Sequence, residues 1–512
     1  MIDTTGQSAH TRVLPRIRLE HLWLALALST IAVFISMAPT VPNDYWWHLK
    51  VGEIVATEGL PTTNRFAWTV PNEEPFVYQS WLGEWLFYML YTIGGHPLVI
   101  FTRNVLGIVT FTLVAIEAQR RSGAWRVAAL VTVIAAAMTI NNLTTRTQNW
   151  SWLPFMLVFT LLSRYSDGQL PARWLLVLPL TMAFWVNVHG AFVLGLMLVG
   201  AFVVGETLRR LLKQPRALTV QRLRWLYVTT AAMALATLVN PIGVGVYSYV
   251  SALLNDNAIQ SLIVEWQPPA PRSIAERAFF GSVLLVIAAF AFARRRPTIT
   301  DVLLVCGLAW QAFGSVRHVI WFGLVAMPIV AQVVSAPRPL FAAALSERER
   351  GAGGVANTLV VALLLSFVLA VQPWTKHSLP LPQEYRAQFA DLPGAPQLFT
   401  SGTPYAAAEH LRADPCRGRL FNEMGYGSYL VWALYPQTQI FIDPRIELYP
   451  FELWQKYIAI NRGDDLAARL ERFNISCVLL DREIQPALAA QMEQLPGWQR
   501  SFNDTRSEVW RR

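Results

Sequence analysis

The chain has 512 residues, of which 54% are hydrophobic and only 15% are charged, whereas soluble domains have about a quarter of their residues charged. The apolar residues form long blocks, which excludes a row of ordinary soluble domains and indicates a polytopic membrane protein. The net charge is +9, but the basic residues occur in short clusters between apolar blocks, so nucleic acid is not an expected partner. Three cysteines exclude a disulfide scaffold and a cysteine-based metal cluster.

Eleven apolar blocks are each long enough, or nearly so, to cross the roughly 30 Å of bilayer hydrocarbon. They lie at residues 21–39, 97–117, 127–140, 150–162, 174–188, 191–208, 225–239, 279–293, 302–313, 319–334 and 357–371. We expect the first block to be a retained helix, because it lacks a small-residue cleavage site.

The basic clusters predict the orientation of these blocks. With the N-terminus in the cytoplasm, eleven spans place every strong basic cluster on the cytoplasmic side. These clusters lie at residues 12–18, 120–126, 164–173, 209–224, 294–296 and 338–350. The same count places four loops outside, at residues 40–96, 141–149, 240–276 and 317–318, together with the whole C-terminal tail.

The count of eleven requires that residues 81–93, within the first outer loop, do not cross the membrane. This segment is short and aromatic, and it carries the carboxylate of Glu84. Such a pattern favours an interfacial helix that lies along the outer membrane surface.

Charged residues return in the tail, where strand and helix patterns alternate. Strands are predicted at residues 419–422, 439–443, 477–481 and 507–510, and helices at 427–434, 452–460, 465–473 and 485–495. The chain is therefore expected to comprise a transmembrane domain at 1–374 and an extracytoplasmic α/β domain at 375–512. Cys416 and Cys477 lie on an oxidising side in this topology, where a disulfide and two buried thiols are both open.

Asp44 and His48 follow the first apolar block and are four residues apart, on one face if the stretch is helical. A carboxylate beside an imidazole can deprotonate a hydroxyl or hold a divalent metal, so both residues are candidate catalytic groups. The alternative is an interfacial cap within an aromatic belt, which would account for Trp46 and Trp47. Glu84 is a third catalytic candidate, against a solvated helix face as the alternative.

Cationic groups recur near the predicted outer surface, where a phosphate is their natural partner, because arginine binds phosphoryl oxygens bidentately. The candidates for binding a lipid phosphate are Arg103, Arg146, Arg317 and His318. The candidates for an acceptor site or cavity wall are Trp47, Asn187, His189, Asp443 and Arg445. A structural ion pair is the alternative for Asp443 and Arg445, which close a predicted strand of the tail.

The stretch from Asp44 to Arg103 resembles the first outer loop of the GT-C superfamily of integral-membrane glycosyltransferases. In that family a first helix delivers an acidic residue to the outer face, and a turn, an interfacial helix and often an arginine follow. The corresponding features here are Asp44, the turn at 58–61, the helix at 81–93 and Arg103. The chain is also similar to bacterial membrane proteins with a D-x-W-W-H loop, here at 44–48, and an F-I-D-x-R strand, here at 441–445.

The sequence departs from the family at two points. Tyr45 stands beside Asp44, where mannosyltransferases often have a second acidic residue. No D-x-D or D-x-E pair occurs at 141–149, which speaks against a metal site of the oligosaccharyltransferase type.

The resemblance implies a glycosyltransferase of the bacterial plasma membrane that moves a sugar from a polyprenyl-phosphate donor to a lipid, glycan or protein acceptor. Under this hypothesis Asp44 is the base, arginines stabilise the leaving phosphate, and a single displacement inverts the anomeric carbon. The hypothesis adds membrane lipids as partners and allows a divalent metal near Asp44 and His48. A transporter or flippase of a lipid-linked glycan and a non-catalytic assembly subunit remain as alternatives.

Overall fold

The computed structural model describes residues 17–293, 296–335 and 354–512, without the side chains of residues 257 and 258. The basic residues at 12, 16, 294–295 and 338–350, which the orientation prediction uses, lie outside the described residues. The N-terminal part is helical. Its helices are α1 (Leu19–Met37), α2 (Pro42–Thr57), α3 (Trp81–Ser122), α4 (Trp125–Ala137), α5 (Asn149–Ser166), α6 (Val177–Val188), α7 (Val193–Leu211), α8 (Val220–Ala236), α9 (Gly245–Leu254), α10 (Asn257–Leu262), α11 (Ile274–Ala291), α12 (Ile299–Gly314), α13 (Val319–Val334) and α14 (Gly354–Ala370).

All eleven predicted apolar blocks coincide with helices, as expected for segments whose backbone groups must be satisfied without water. Five helical segments of the described chain are long and apolar enough to cross a membrane: Leu19–Met37, Trp81–Ser122, Gly190–Leu211, Ile274–Ala291 and Val316–Val334. Shorter apolar helices add to these, and the whole fits a polytopic membrane protein. The number of spans and the orientation stay predictions.

Helix α3 is broken near its first third. Gly94 and Gly95 have non-helical backbone angles, and Gly95 has a φ of +64°, a region that glycine enters at little cost. Pro97 follows immediately, and its missing N–H helps to separate the two parts. The segment at 81–93 is therefore a helix with its own direction, as the sequence predicts, and its place at the membrane surface stays a prediction.

The interior of the helical part is one continuous apolar cluster. Helix α13 is buried along almost its whole length, so it packs among other helices and exposes little surface. A helix without a solvent-exposed face has apolar residues on every side.

The tail contains a four-stranded sheet with the order β1-β2-β4-β3. The strands are β1 (Arg419–Asn422), β2 (Ile475–Asp481), β3 (Gln499–Asn503) and β4 (Ser507–Arg511). β1 and β2 are parallel and the other pairs antiparallel. The helices are α15 (Gln383–Arg386), α16 (Tyr405–Ala413), α17 (Met424–Leu434), α18 (Phe451–Arg462), α19 (Leu466–Arg472) and α20 (Pro486–Met492). The structure pairs Cys416 with Cys477 in a disulfide, which joins β2 to the segment before β1.

The predicted strand at 439–443 is wrong. Only Ile440 makes a bridge, and its partner is Ala67 of the first loop, outside the sheet. The segment is apolar because it packs between the tail and that loop, and burial by packing gives the same sequence pattern as a buried strand.

The tail and the first loop share a second apolar cluster, in which α17 packs against α2. Two loop side chains donate hydrogen bonds to tail carbonyls: Trp68 Nε1 to Leu420 at 3.0 Å and Thr69 Oγ1 to Phe441 at 2.6 Å. The main-chain N–H of Trp47 donates to Ser428 Oγ at 3.1 Å. These contacts fix the tail over the region that holds Asp44 and His48.

Candidate functional site

A carboxylate–guanidinium cluster joins three segments that are far apart in sequence. Asp44 lies in the first turn of α2, Arg146 lies just before α5, and Glu265 lies in the short 3₁₀ helix Val264–Trp266. Arg146 Nη1 is 2.7 Å from Glu265 Oε2 and 3.7 Å from Asp44 Oδ2. The main-chain N–H of Arg146 donates to Asn149 Oδ1, which fixes the turn that presents the guanidinium.

The surroundings of Arg146 and Glu265 shift the pKa values of both groups towards their charged forms. Burial works against the charge of Arg146, but the Glu265 and Asp44 carboxylates outweigh it and raise the pKa of the guanidinium. Burial alone would raise the pKa of the Glu265 carboxyl, yet Arg146 outweighs it and holds that pKa below its usual range. Arg146 Nε and Nη2 are nevertheless buried without a hydrogen-bond partner among the described residues. Buried donors of this kind require an explanation, and a bound ligand is one.

Arg317 is the second cation at this position. It belongs to the 3₁₀ helix Val316–His318, and its guanidinium lies over the ring of Trp266 at 4.4 Å. It makes no hydrogen bond or ion pair within the described part of the chain. Its electrostatic neighbours are Arg146, Glu265, Asp44 and Glu447. Arg317 therefore shares the region of the cluster without being neutralised by direct pairing.

His189 adds a neutral imidazole between α6 and α7. Its Nδ1 accepts a hydrogen bond from the Ala191 N–H at 3.0 Å, so the ring proton belongs on Nε2. Burial, followed by the positive charges of Arg317 and Arg146 and by His48, holds the pKa of His189 well below its usual range. At neutral pH this residue is therefore an uncharged hydrogen-bond donor beside the two arginines.

His48 and Glu84 form a buried pair in which His48 Nδ1 lies 2.9 Å from Glu84 Oε1. Their side chains are 8% and 1% exposed, so Glu84 is not on a solvated helix face. The pair forms because α2 crosses the first part of α3 at Gly52, where an added Cβ would collide with the Glu84 carbonyl. Glu84 Oε2 is buried and has no partner among the described residues. The rings of Trp47 and His48 are 3.8 Å apart between centroids and tilted by 35°.

The possible divalent metal near Asp44 and His48 is not supported by the donor set. No group of three or more histidine, cysteine, aspartate or glutamate side chains suited to a metal occurs in residues 17–293, 296–335 and 354–512. The Nδ1 atom of His48 is engaged with Glu84. These residues do not fit a metal held by protein side chains alone.

Arg103 does not join the cluster, which corrects its prediction as a phosphate ligand. Its side chain is fully buried and donates to the carbonyls of Leu143 and Ile35 at 2.8 and 3.0 Å and to Asn104 Oδ1. A phosphate could approach only by displacing these partners. Arg103 instead ties α1 and the segment after α4 to α3.

Asp443 and Arg445 form a fully buried ion pair rather than part of an open cavity, which corrects their assignment as acceptor residues. Arg445 Nη2 lies 2.6 Å from Asp443 Oδ2, and both side chains are 0% exposed. The guanidinium also donates to Tyr78 OH at 3.2 Å and packs over the rings of Phe66 and Phe76. The pair links the tail to the first loop.

Two further predicted residues, Asn187 and His318, differ in their contacts. Asn187 Oδ1 accepts from Trp81 Nε1 at 2.9 Å, while its amide donates to main-chain carbonyls, so its polar atoms are occupied by structural contacts. His318 is next to Arg317, and its ring meets Trp266 edge-on at 6.4 Å. Asn187 is therefore structural, and His318 belongs to the wall beside Arg317.

The sequence interpretation missed Glu265, Tyr249 and Glu447 as site residues. Tyr249 OH donates to Glu447 Oε1 at 3.4 Å, which connects α9 with the tail. The side chain of Glu447 is exposed. A usable signal was present for Glu265, an isolated carboxylate beside Trp266 in a predicted outer loop.

The fold and the site define a helical membrane-type protein in which a first loop and an α/β tail enclose a cluster of arginines and carboxylates. No known sequence family matches the chain, and no curated protein matches it in sequence. The apo oligosaccharyltransferase of Archaeoglobus fulgidus is similar in structure, with a TM-score of 0.52 and 11% identity over 90% of this chain and 70% of that one.

Two further solved structures are similar. One is the archaeal oligosaccharyltransferase AglB from the same organism in complex with an inhibitory peptide and a dolichol-phosphate (TM-score 0.51, 12% identity, 90% and 69% covered). The other is ArnT from Cupriavidus metallidurans bound to undecaprenyl phosphate (TM-score 0.49, 13% identity, 96% and 97% covered). These proteins are GT-C membrane glycosyltransferases. At such identities the likeness shows the fold alone: the chain shares the fold of the archaeal oligosaccharyltransferase structures, which agrees with the resemblance seen in its first loop.

Proposed function

We propose that this protein is an inverting glycosyltransferase that moves a sugar from a polyprenyl-phosphate donor to an acceptor at the outer face of the membrane. The observation that carries the proposal is Arg317, which has no direct charge partner among the described residues and lies near the cluster of Asp44, Arg146 and Glu265. A cleft of this kind suits a phosphate-bearing substrate, because a guanidinium that is not already paired can bind phosphoryl oxygens bidentately. The GT-C fold supports the general class of reaction.

The proposed roles follow from the pairing of each group. Asp44 accepts the proton of the acceptor hydroxyl, whose oxygen forms a bond to the anomeric carbon of the sugar. The bond from that carbon to the phosphate oxygen breaks, and the polyprenyl phosphate departs as an anion. Arg317 stabilises the arriving negative charge, with the free donors of Arg146 beside it. The leaving group needs no proton, so the mechanism contains no general acid.

His48 and Glu84 have a supporting role in this proposal. The buried carboxylate of Glu84 orients the imidazole of His48 on the same helix as Asp44, one turn further on. His189 offers its neutral N–H beside the two arginines. The disulfide between Cys416 and Cys477 supports an extracytoplasmic tail, because such bonds persist in oxidising compartments.

The experiment separates binding from chemistry in the purified full-length protein. Asp44→Asn should abolish release of polyprenyl phosphate from a lipid-linked sugar while leaving the binding of undecaprenyl phosphate within about twofold. Arg317→Gln should weaken that binding by about tenfold or more, since a charge-assisted bidentate contact contributes about 1.5–3 kcal/mol. The anomeric configuration of the product, read by NMR, should be inverted.

Two exposed residues supply matched controls. Asp391→Asn and Arg272→Gln change the same residue types where the side chains make no ion pair within the described structure, and they should leave turnover and binding unchanged. Transfer at the normal rate by Asp44→Asn would exclude it as the base. Translocation of a lipid-linked glycan that survives this change, without any transfer, would identify a transporter instead.

A further inference from the structure

A recess of about 690 Å³ lies at the turn between α7 and α8, away from the cluster around Arg146. Its wall includes Thr207, Arg210, Leu211, Lys213, Gln214 and Arg216, and we call it the basic recess. No carboxylate lines it within the described part of the chain. Three cations without a local counter-charge leave the recess strongly positive.

Neighbouring basic residues of the same region are committed to internal partners. Arg209 Nη1 lies 2.7 Å from Glu206 Oε1, and Arg222 donates to the carbonyls of Tyr165 and Leu170. The chain therefore neutralises or anchors the arginines that point inward at this turn.

The cations of the basic recess differ from these. Among the described residues, Arg210 donates to the Leu218 carbonyl alone, at 3.0 Å, and this bond holds its guanidinium at the wall. The exposed side chains of Lys213 and Arg216 have no partner among the described residues. Their donors are thus available to a ligand.

The backbone of the turn also favours a specific shape. Lys213 and Arg216 have φ values of 52° and 60°, a left-handed conformation that side-chain-bearing residues adopt at a cost and glycine adopts freely. Charged side chains therefore occupy two positions where glycine would form the same turn more easily. The turn curls the chain around the recess.

The position of the basic recess indicates the membrane surface at which it lies. The helical segment Gly190–Leu211 begins beside His189 and ends at the recess. Its 22 residues span about 33 Å at 1.5 Å per residue, which matches the hydrocarbon thickness of a bilayer. The recess and the proposed reaction site are thus at opposite membrane surfaces. Leu211, Leu212 and Val220 are exposed beside the recess, where acyl chains would cover them.

We propose that the basic recess binds the headgroup of an anionic phospholipid from the leaflet opposite the reaction site. The phosphate would contact Arg210, Lys213 and Arg216, while the acyl chains cover the adjacent leucine and valine side chains. Basic pockets at the ends of membrane helices recognise anionic headgroups by this combination of charge and apolar surface. The proposal does not depend on the transferase chemistry.

The test uses delipidated full-length protein in a neutral detergent and native mass spectrometry of bound lipid. Phosphatidylglycerol and cardiolipin should bind saturably, and phosphatidylcholine should bind at least about tenfold more weakly. Binding should weaken as salt increases, because screening reduces the attraction. The triple variant Arg210→Gln, Lys213→Gln, Arg216→Gln should lose about tenfold or more of the affinity for anionic lipid.

The matched control is Arg417→Gln, Lys456→Gln, Arg472→Gln, which removes three exposed basic side chains of the tail and should bind lipid like the parent protein. A second variant, Lys213→Gly with Arg216→Gly, removes two charges and preserves the turn. Because this variant should fold normally, a loss of lipid affinity can be measured in it even if the triple variant does not fold. Equal binding by the parent and the triple variant would refute the proposal, as would equal affinity for phosphatidylcholine. Inorganic phosphate is tested alone as a ligand. If it bound the recess with the same affinity as the anionic lipid, the proposal would also be refuted.

Discussion

The buried pair of Asp443 and Arg445 offers the sharpest test of how the tail is attached. Arg445 contacts the carboxylate through Nε at 3.0 Å and Nη2 at 2.6 Å, and both side chains are inaccessible to solvent. Arg445→Met removes the charge and retains an apolar stem between Phe66 and Phe76. Asp443→Asn removes the opposite charge and retains the shape.

Each single change leaves one buried charge without its partner, which costs about 3–5 kcal/mol. With about 2–4 °C per kcal/mol for a domain of 150–250 residues, the unfolding midpoint should fall by about 6–20 °C. The double variant leaves no unpaired charge. Tyr78 OH still donates to the Thr63 carbonyl, and Asn64 Oδ1 still accepts main-chain N–H groups, so the double variant should be more stable than either single one.

The assay is thermal unfolding of the three variants in one detergent, combined with limited proteolysis of the tail. Proteolysis should accelerate in both single variants, because the pair links the tail to the first loop. This account of the ion pair would be refuted if the free energy of unfolding of each single variant were within about 1 kcal/mol of the parent value. It would also be refuted if the double variant were destabilised by as much as the two single variants added together. Lost turnover at unchanged stability would return both residues to the substrate site.

Three further predictions concern other buried contacts. Lys376 is buried, and burial, followed by the charge of Arg103, lowers its pKa to about 7. Its folded pKa lies below the unfolded value of 10.5, so stability should rise with pH between these values, and Lys376→Met should raise the unfolding midpoint at pH 7 but not at pH 10.5. Gly52→Ala should drive α2 away from the Glu84 carbonyl and destabilise the protein by about 1–3 kcal/mol, measured by thermal unfolding against Gly281→Ala, where an added Cβ meets open space. Cys416→Ser with Cys477→Ser should destabilise the tail by about 2–4 kcal/mol, read from urea unfolding, and an unchanged midpoint would contradict the pairing.

The apolar helices were predictable because one physical requirement governs them. A segment without charges that crosses hydrocarbon must satisfy its backbone groups internally, so length and hydropathy alone locate the helix. The helix at 81–93 was predictable for a related reason, since Glu84 and the aromatic residues distinguish it from the spans. The turn at Gly94 and Gly95 confirms that the two parts of α3 are separate.

The partners of the arginines were not predictable from sequence. Arg103 and Arg146 both lie near the predicted outer surface, but Arg103 donates to carbonyls, whereas Arg146 pairs with carboxylates and keeps two donors without a partner among the described residues. A guanidinium has the same sequence signature in both situations, and only the three-dimensional fold decides between them. The strand prediction around Ile440 was wrong for the same reason. The burial of this segment comes from packing against the first loop, which the sequence pattern does not distinguish from burial in a sheet.

The two arginines of the candidate site are held in different ways. Arg146 is held by Glu265 and lies close to Asp44, while its Nε and Nη2 have no partner among the described residues. Arg317 lies over the ring of Trp266 and makes no hydrogen bond or ion pair with any described residue, so its donors remain for an incoming phosphate. An anion bound between them would also relieve the repulsion between two cations in a partly desolvated cleft. In the proposed reaction both cations therefore act on the leaving phosphate, and Arg146 also lies beside the proposed base.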